Sequence, residues 1–149
     1  VTLCESGAIL KYMAENYAPE LYPEDPIQRI KVDQWFIYGS AQWTTLAQQY
    51  GLFMHRLGED VPRAQEHYDG VLRDMINMYE KHLGENEFIA GDYSIADMAC
   101  WPWVSRYEWQ RVNLAEYPNV QTWYKKLLAR NAVQRGYHVP KKMNEIPTG

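Results

Sequence analysis

Apolar side chains recur every three or four residues along most of the chain, the spacing that gives a helix one apolar face. One long pattern runs from about Ile27 to Leu57, and a second runs from Pro62 to about Leu83. Residues 58–60, Gly-Glu-Asp, break the pattern between them. Pro62 suits a first helical turn, where its missing N–H removes no hydrogen bond. The sequence predicts two long helices that pack antiparallel.

A third helical pattern starts directly after Ser94, and Asp97 follows three residues later. This is the spacing of a capping box, in which the Ser94 hydroxyl accepts from the Asp97 N–H and the Asp97 carboxylate accepts from the Ser94 N–H. Tyr93 and Met98 stand at the two positions of a hydrophobic staple. Such a box contributes about 1 kcal/mol to stability, so we interpret it as structural. Further helices are predicted from Pro118 and as a short segment before Gly136.

The beginning of the chain has a different pattern. Val1–Cys4 reads as a short strand, Glu5–Gly7 as a sharp corner and Ala8–Tyr17 as an amphipathic helix. Three prolines then mark a linker at residues 18–26. We therefore predict an all-α bundle over residues 27–149, preceded by a strand and helix at residues 1–17.

Composition narrows the classes of function. The chain has 149 residues and a net charge of −4 without a basic run, which argues against nucleic acid as the main partner. Its two cysteines are far apart in sequence, which favours a reducing, cytoplasmic compartment. We find no apolar run of about 20 residues and no signal-peptide pattern, so neither a membrane span nor secretion is predicted. The four histidines have no second ligand at metal spacing, and we predict no metal site.

Glu5 and Ser6 are the candidate binding residues. A serine at a helix N-terminus offers a hydroxyl, free N–H groups and the positive end of the helix dipole, which together suit a carboxylate. The neighbouring glutamate can receive an ammonium group, so the pair could hold the α-amino-acid end of a ligand. The alternative interpretation is an ordinary helix cap. A second group of candidates comprises aromatic residues that either line a pocket or pack in the core: Trp35, Tyr38, Trp43, Trp103 and Tyr107.

Three stretches resemble cytosolic glutathione transferases. TLCESGAILKYMAENY resembles their Glu-Ser corner and the helix after it, and GDYSIADMACWPWV resembles the capped helix of their helical domain. YPNVQTWYKKLLARNAVQRGY is similar to their last helices, with Asn131 where proline is common. The three occur in the family's order and cover nearly the whole chain. The residues of these motifs resemble those of bacterial or fungal transferases of the disulfide-reductase-like type.

The resemblance implies a thioredoxin-like domain that binds glutathione, followed by an all-helical domain that contributes the pocket for a hydrophobic electrophile or a disulfide. It assigns the carboxylate of the γ-glutamyl end to Ser6 and the amine to Glu5. The second-substrate pocket would draw on the aromatic candidates Trp35, Tyr38, Trp103 and Tyr107. A full-length parent of this family would be a homodimer.

The chain departs from the family in one large respect. The catalytic Ser, Tyr or Cys and the cis-proline loop of the family precede the Glu-Ser corner, and this sequence begins just before that corner. We therefore assign no catalytic residue, and we expect a C-terminal portion of a glutathione transferase that is inactive alone. Two alternatives stay open: a noncatalytic helical interaction module of the same fold, and a protein that sequesters hydrophobic ligands.

Overall fold

The computed structural model describes residues 2–141 and 145–149, and the regular structure in this part is helical. The predicted all-α class is confirmed, with two short 3₁₀ turns between helices. The α-helices are α1 (Ser6–Tyr17), α2 (Pro26–Ile37), α3 (Thr44–Gly51), α4 (Pro62–Leu83), α5 (Ile95–Val104), α6 (Pro118–Leu128) and α7 (Asn131–Tyr137).

Together α2 and α3 form one continuous helical rod that packs antiparallel to α4. In α2 the ring of Trp35 lies 4.3 Å from the ring of His82, close to the end of α4. Beyond α3 the ring of Phe53 stacks at 5.3 Å on Tyr68, close to the start of α4. The predicted antiparallel pair of long helices is therefore confirmed.

Two π-helical segments, Tyr38–Trp43 and Leu52–Arg56, interrupt the α-helical geometry of the rod. In the first, the Ser40 hydroxyl donates to the Phe36 carbonyl at 2.7 Å and competes with the backbone amides for that acceptor. The sequence predicted the extent of the rod but not its widened turns. Apolar residues recur three or four positions apart through both segments, so the pattern gives no sign of the widened turns.

The helix α5 lies at the centre of the fold and packs against α1, α2, α6 and the first π-helical segment. Gly39 allows a close approach, because a Cβ atom there would overlap the Sγ of Cys100. The hydroxyl of Tyr79 lies 3.2 Å from the same sulfur. Burial raises the pKa of the Cys100 thiol to about 12, so the thiol stays protonated at neutral pH and packs as a small apolar group.

Aromatic residues fill the core, and the polar atoms of two of them bond to backbone carbonyls of neighbouring segments. The Tyr50 hydroxyl donates to the Gln110 carbonyl at 2.8 Å, which ties α3 to the loop after α5. The indole N–H of Trp101 donates to the Tyr124 carbonyl at 3.1 Å, and the two rings stack at 5.1 Å. Each such bond satisfies a polar atom that burial would otherwise leave unpaired.

A side chain of α4 caps the beginning of α6. The carboxylate of Glu80 accepts from the backbone N–H groups of Asn119 and Val120 and from the Asn119 amide, at 2.8–3.1 Å. A carboxylate at this position satisfies first-turn N–H groups and interacts favourably with the helix dipole. The start of α6 at Pro118 was predicted, whereas the cap from a residue far away in sequence was not.

The strand predicted for Val1–Cys4 is not observed. Val1 lies outside the described residues, and residues 2–4 have irregular backbone. The β-type pairing within the described part consists of isolated bridges in the loop at residues 88–92. A strand needs a neighbouring segment to hydrogen-bond with, and no described segment supplies one to residues 2–4. The helix α1 does form, because its hydrogen bonds are internal to it.

Two of the histidines tie helices to loops. The Nε2 atom of His55 lies 2.8 Å from the Trp109 carbonyl, and that of His82 lies 2.8 Å from the Ile89 carbonyl. Within the described residues, no group of three or more His, Cys, Asp or Glu side chains is placed to hold a metal ion. None of the helices in this part of the chain is long and apolar enough to cross a membrane.

A glycine comparison tests the contact between the rod and α5. The substitution Gly39→Ala is expected to lower the free energy of unfolding by about 1–3 kcal/mol, because the new methyl group would overlap the buried Cys100 sulfur. The matched control is Gly70→Ala in α4, where a Cβ atom meets nothing within 4 Å. That change is expected to raise stability by about 0.5–1 kcal/mol through helix propensity. Urea denaturation of both variants checks the prediction, and equal effects of the two would contradict it.

Candidate functional site

The Glu5–Ser6 corner stands at the beginning of α1. Glu5 has φ 69° and ψ 115°, in the left-handed region that favours glycine, and a non-glycine residue there costs about 1–3 kcal/mol. Both side chains are exposed, and no side chain of the described residues caps α1. The Glu5 carbonyl accepts from the Ile9 N–H at 3.0 Å. The first-turn N–H groups of α1 are therefore available to a ligand, and the positive φ of Glu5 was not foreseen from the sequence.

The corner rests against the helical rod. A Cβ atom at Gly7 would lie 3.3 Å from the Phe36 ring and 3.7 Å from the Cβ of Ser40. The glycine directly after the corner thus lets α1 approach the rod closely at its first π-helical segment. This contact fixes where the corner stands relative to the rest of the bundle.

The capping box predicted at Ser94 and Asp97 is confirmed. The Asp97 carboxylate accepts from the Ser94 N–H at 3.0 Å, and the Ser94 hydroxyl accepts from the Ala96 N–H at 3.3 Å. Both capping side chains are buried. The box begins α5 at the residue where the sequence pattern placed it.

The Asp97 carboxylate also reaches two segments outside its own helix. Its Oδ1 atom accepts from the Ile89 N–H at 3.0 Å and from the indole N–H of Trp123 at 2.8 Å. The residue is fully buried, and burial raises the pKa of its carboxyl while the N–H donors act in the opposite direction. These bonds join α5, the loop before it and α6, so the role of Asp97 is structural.

The aromatic pocket candidates divide between two places. Trp35 and Tyr38 contact each other with ring centres 6.1 Å apart, and both contact Tyr79 of α4. Trp103 stands near the end of α5, and Tyr107 follows that helix. In the described part of the chain no ring contact links the first pair to the second. The structure therefore brings Trp35 to Tyr38 but does not gather all four residues, and their role in binding stays a prediction.

Tyr107 is engaged by the last described residues. Its hydroxyl accepts from the Gly149 N–H at 3.1 Å, and its ring lies edge-on to Tyr124 at 5.9 Å. The Tyr124 hydroxyl donates to the Pro147 carbonyl at 2.7 Å. Two tyrosines thus hold residues 145–149 against the bundle, an arrangement that no local sequence signal indicated.

A cleft of about 980 Å³ separates the rod from the end of α5 and includes Trp103 in its wall. The guanidinium of Arg106 lies 5.4 Å from the centre of the Trp103 ring. Gln48 and Arg56 of the rod also line the cleft, and the Arg56 guanidinium donates to the Gln48 carbonyl at 2.9 Å. The presence of Arg106 beside Trp103 could be predicted, because the two residues are about one helical turn apart. The presence of Gln48 and Arg56 in the same cleft could not, because it depends on the packing of the rod against α5.

A smaller cavity of about 400 Å³ lies between α5, α6 and α7 and has almost wholly apolar walls. Tyr93 and Met98, the residues of the predicted staple, line it together with Trp101. The guanidinium of Arg130 covers the Tyr93 ring at 3.7 Å. The larger cleft has more side chains that can recognise a polar ligand, so it is the better candidate for a substrate site.

Comparison with known proteins identifies the class. The profile of the glutathione S-transferase C-terminal domain matches residues 43–131. The disulfide-bond oxidoreductase YfcG of Escherichia coli is 35% identical over 133 residues, covering 89% of this chain and 61% of that protein. A glutathione transferase of Pseudomonas putida, crystallised with one glutathione disulfide per subunit, superposes with a TM-score of 0.86. Its sequence is 31% identical, and the match covers 94% of this chain and 64% of that one. A glutathione transferase of Burkholderia graminis, crystallised with two glutathione molecules per subunit, superposes with a TM-score of 0.85. Its sequence is 34% identical, and the match covers 96% of this chain and 62% of that one.

The chain therefore belongs to the glutathione transferase family, and the proteins similar to it include bacterial and fungal members. It spans about three fifths of the length of the YfcG protein. The predicted resemblance to the family is confirmed. The thioredoxin-like identity of residues 1–17 stays a prediction.

Replacing the buried carboxylate tests its structural role. Asp97→Asn is expected to lower the free energy of unfolding by about 2–4 kcal/mol, because an amide NH₂ would face an N–H donor that the carboxylate now accepts from. The control Asp92→Asn removes the same charge from an exposed side chain in the preceding loop and is expected to change stability by less than about 0.5 kcal/mol. Chemical denaturation at pH 7 measures both, and a stability loss for Asp97→Asn no larger than that of the control would contradict the assignment.

Proposed function

We propose that this chain supplies the glutathione-holding corner and the second-substrate cleft of a glutathione-dependent transferase or thiol–disulfide oxidoreductase. The observation that carries the proposal is the Glu5–Ser6 corner. It combines exposed side chains, a strained backbone at Glu5 and the uncapped N-terminus of a 12-residue helix. Strained residues persist where the surrounding structure and function hold them.

Each corner residue has a chemical task. The Ser6 hydroxyl and N–H would donate to the α-carboxylate of the γ-glutamyl group, helped by the positive end of the α1 dipole. The Glu5 carboxylate would pair with the adjacent ammonium group. Both residues act at the end of glutathione that lies far from its thiol. Neither is therefore assigned to lowering the pKa of that thiol, and catalysis is not attributed to them.

The relatives favour a glutathione-dependent function over a noncatalytic interaction module. The transferases of Pseudomonas putida and Burkholderia graminis were crystallised with glutathione disulfide and with two glutathione molecules, respectively. YfcG is described as a disulfide-bond oxidoreductase. Thiol–disulfide exchange needs two sulfur-bearing partners, because a thiolate attacks one sulfur of a disulfide and releases the other. A corner and a neighbouring cleft provide for two such partners.

The cleft is the proposed site of the second partner. The rod that contacts Gly7 through Phe36 and Ser40 also supplies Gln48 to the cleft wall. Ser40 and Gln48 are eight residues apart, or roughly 12 Å along a helix. Both signs of charge line the cleft, with Arg56 and Arg106 beside Glu108 and Glu145. Such a lining suits a zwitterionic partner, such as a second glutathione or a glutathione mixed disulfide, and the Trp103 ring suits an apolar electrophile.

Binding of glutathione tests the proposal. Isothermal titration with glutathione disulfide and with glutathione is expected to show binding, and Ser6→Ala and Glu5→Gln are each expected to raise the Kd about tenfold by removing one charge-assisted contact. The control Glu15→Gln removes the same charge from the other end of α1 and is expected to leave the Kd unchanged. The absence of binding by the unaltered chain, or equal affinity in all variants, would contradict the proposed site.

We further propose that the protein forms a homodimer in a reducing compartment such as the cytoplasm. Ile27, Ile30 and Ile37 share one face of α2 and are 64%, 60% and 59% exposed. Large aliphatic side chains grouped on one exposed face are typical of an interface with another protein. Both cysteines, Cys4 and Cys100, are free thiols, as expected in a reducing environment.

Charge insertion tests the dimer. Ile30→Glu combined with Ile37→Glu is expected to shift the protein from dimer to monomer, because both carboxylates would be buried unpaired at the interface. Size-exclusion chromatography with light scattering measures the mass. Val71→Glu, at a 38% exposed site on α4, serves as the control and is expected to leave the dimer intact. A monomeric mass for the unaltered chain at all concentrations would exclude this face as a dimer interface.

A further inference from the structure

A polar cluster joins α1, the linker after it and α2. The hydroxyl of Tyr22 donates to both carboxylate oxygens of Asp33, at 2.9 and 3.0 Å. The ammonium of Lys11 lies 3.0 Å from Oδ1 of the same carboxylate. Tyr22 belongs to the linker, Lys11 to α1 and Asp33 to α2, so a single carboxylate holds three segments that are separate in sequence.

The ring of Tyr22 strengthens the cluster from a buried position. Only 2% of the residue is exposed, and the ammonium of Lys11 lies 5.0 Å from the centre of its ring. The guanidinium of Arg29 lies 4.7 Å from the same centre, and its Nε donates to the Pro23 carbonyl at 2.7 Å. Cation–π contacts of this kind contribute more when the ring is removed from solvent. The linker is thereby fixed at both its aromatic ring and its backbone.

The ion pair is less exposed than a typical surface pair. The side chain of Asp33 is 19% exposed and that of Lys11 is 39% exposed. The hydroxyl of Tyr22 and the carboxylate of Asp33 raise the pKa of Lys11 against the opposing effect of burial, so its ammonium stays charged at neutral pH. An isolated exposed pair contributes little. Here the pair shares its carboxylate with a buried tyrosine, and the three groups act together.

Other residues of α1 also contact the bundle. Gly7 touches the rod at one end, Ala14 is buried, Leu10 is partly buried against the core, and α1 also packs against α5. Ile9, Tyr12 and Met13 are 40–48% exposed. The contacts of α1 with the rest of the described residues are mostly apolar, and apolar packing is not directional. The polar cluster supplies a directional constraint about one and a half helical turns, or about 8 Å, beyond Ser6.

We propose that Lys11, Tyr22 and Asp33 are positioning residues for the Glu5–Ser6 corner, which set the orientation of α1 and thereby the affinity for glutathione. The expected change in glutathione affinity rests on the proposed function. The expected change in the order of α1 does not depend on it. The cluster does not touch the ligand. It reduces the cost of ordering the corner when the γ-glutamyl group binds, because a corner that is already oriented loses less freedom on binding.

Two measurements on the same set of variants test the proposal. Asp33→Asn and Lys11→Met are expected to raise the Kd for glutathione disulfide three- to tenfold, whereas Lys11→Arg, which keeps the charge, is expected to stay within twofold. Hydrogen exchange of the backbone amides in α1 is expected to be at least threefold faster in Asp33→Asn, with exchange in α5 and α6 unchanged. A purely structural role would instead accelerate exchange throughout the bundle.

The control is Glu87→Gln, which breaks the exposed pair between Glu87 and Lys126, 2.9 Å apart, in another part of the fold. It is expected to change neither the Kd nor exchange in α1. Tyr22→Phe, which removes one hydroxyl and keeps the ring, replaces Asp33→Asn if that variant does not fold.

The outcomes separate the two proposals. If the unaltered chain does not bind glutathione disulfide, the proposed function fails, and exchange in α1 alone decides whether the cluster orients the helix. If it binds and the variants bind equally well with unchanged exchange, the positioning role is overturned and the proposed function stands. Accelerated exchange in every helix of Asp33→Asn would also overturn it, since the cluster would then stabilise the bundle as a whole.

Discussion

The buried carboxylate of Asp97 is the interaction on which the rest of the structure depends. It accepts from the N–H groups of Ser94 and Ile89 and from the indole of Trp123, and so fixes the start of α5, the loop before it and α6 around one charged group. A charge removed from water requires such donors, because without them burial costs several kcal/mol. The consequence is a central helix whose first turn is tied to two neighbours, against which α1 and α2 then pack.

Close approach of helices, rather than apolar area alone, gives the bundle its shape. The first π-helical segment of the rod carries Gly39, which leaves just enough room for the sulfur of Cys100 on α5. Further along the same two elements, the rod supplies Gln48 and α5 supplies Trp103 to the lining of the cleft. Because packed interiors deform little, a change in the contact of Gly39 with Cys100 is transmitted to the dimensions of the cleft.

The two proposed binding regions depend on the bundle in different ways. The cleft is formed by elements of the bundle itself, and its charged and aromatic lining comes from segments that are far apart in sequence. The Glu5–Ser6 corner begins α1, which the contact of Gly7 with the rod and the polar cluster around Asp33 join to the bundle. The strained backbone of Glu5 is consistent with this arrangement, since strain persists only where neighbouring contacts maintain it. Local sequence provides the proposed ligand-binding groups, whereas long-range contacts determine where they stand.

Local sequence signals determined the helical class, the extent of the rod and α4, the capping box at Ser94 and Asp97, and membership of the glutathione transferase family. These depend on spacings of three or four residues, or on short motifs, that are readable without knowing what packs where. Tertiary structure alone decided the irregular backbone in place of the predicted strand, the separation of Trp35 and Tyr38 from Trp103, and the carboxylate bridge of Asp33. Each of these depends on groups distant in sequence, because a strand needs a partner, a cleft needs two walls, and a buried carboxylate takes its donors from wherever the fold brings them.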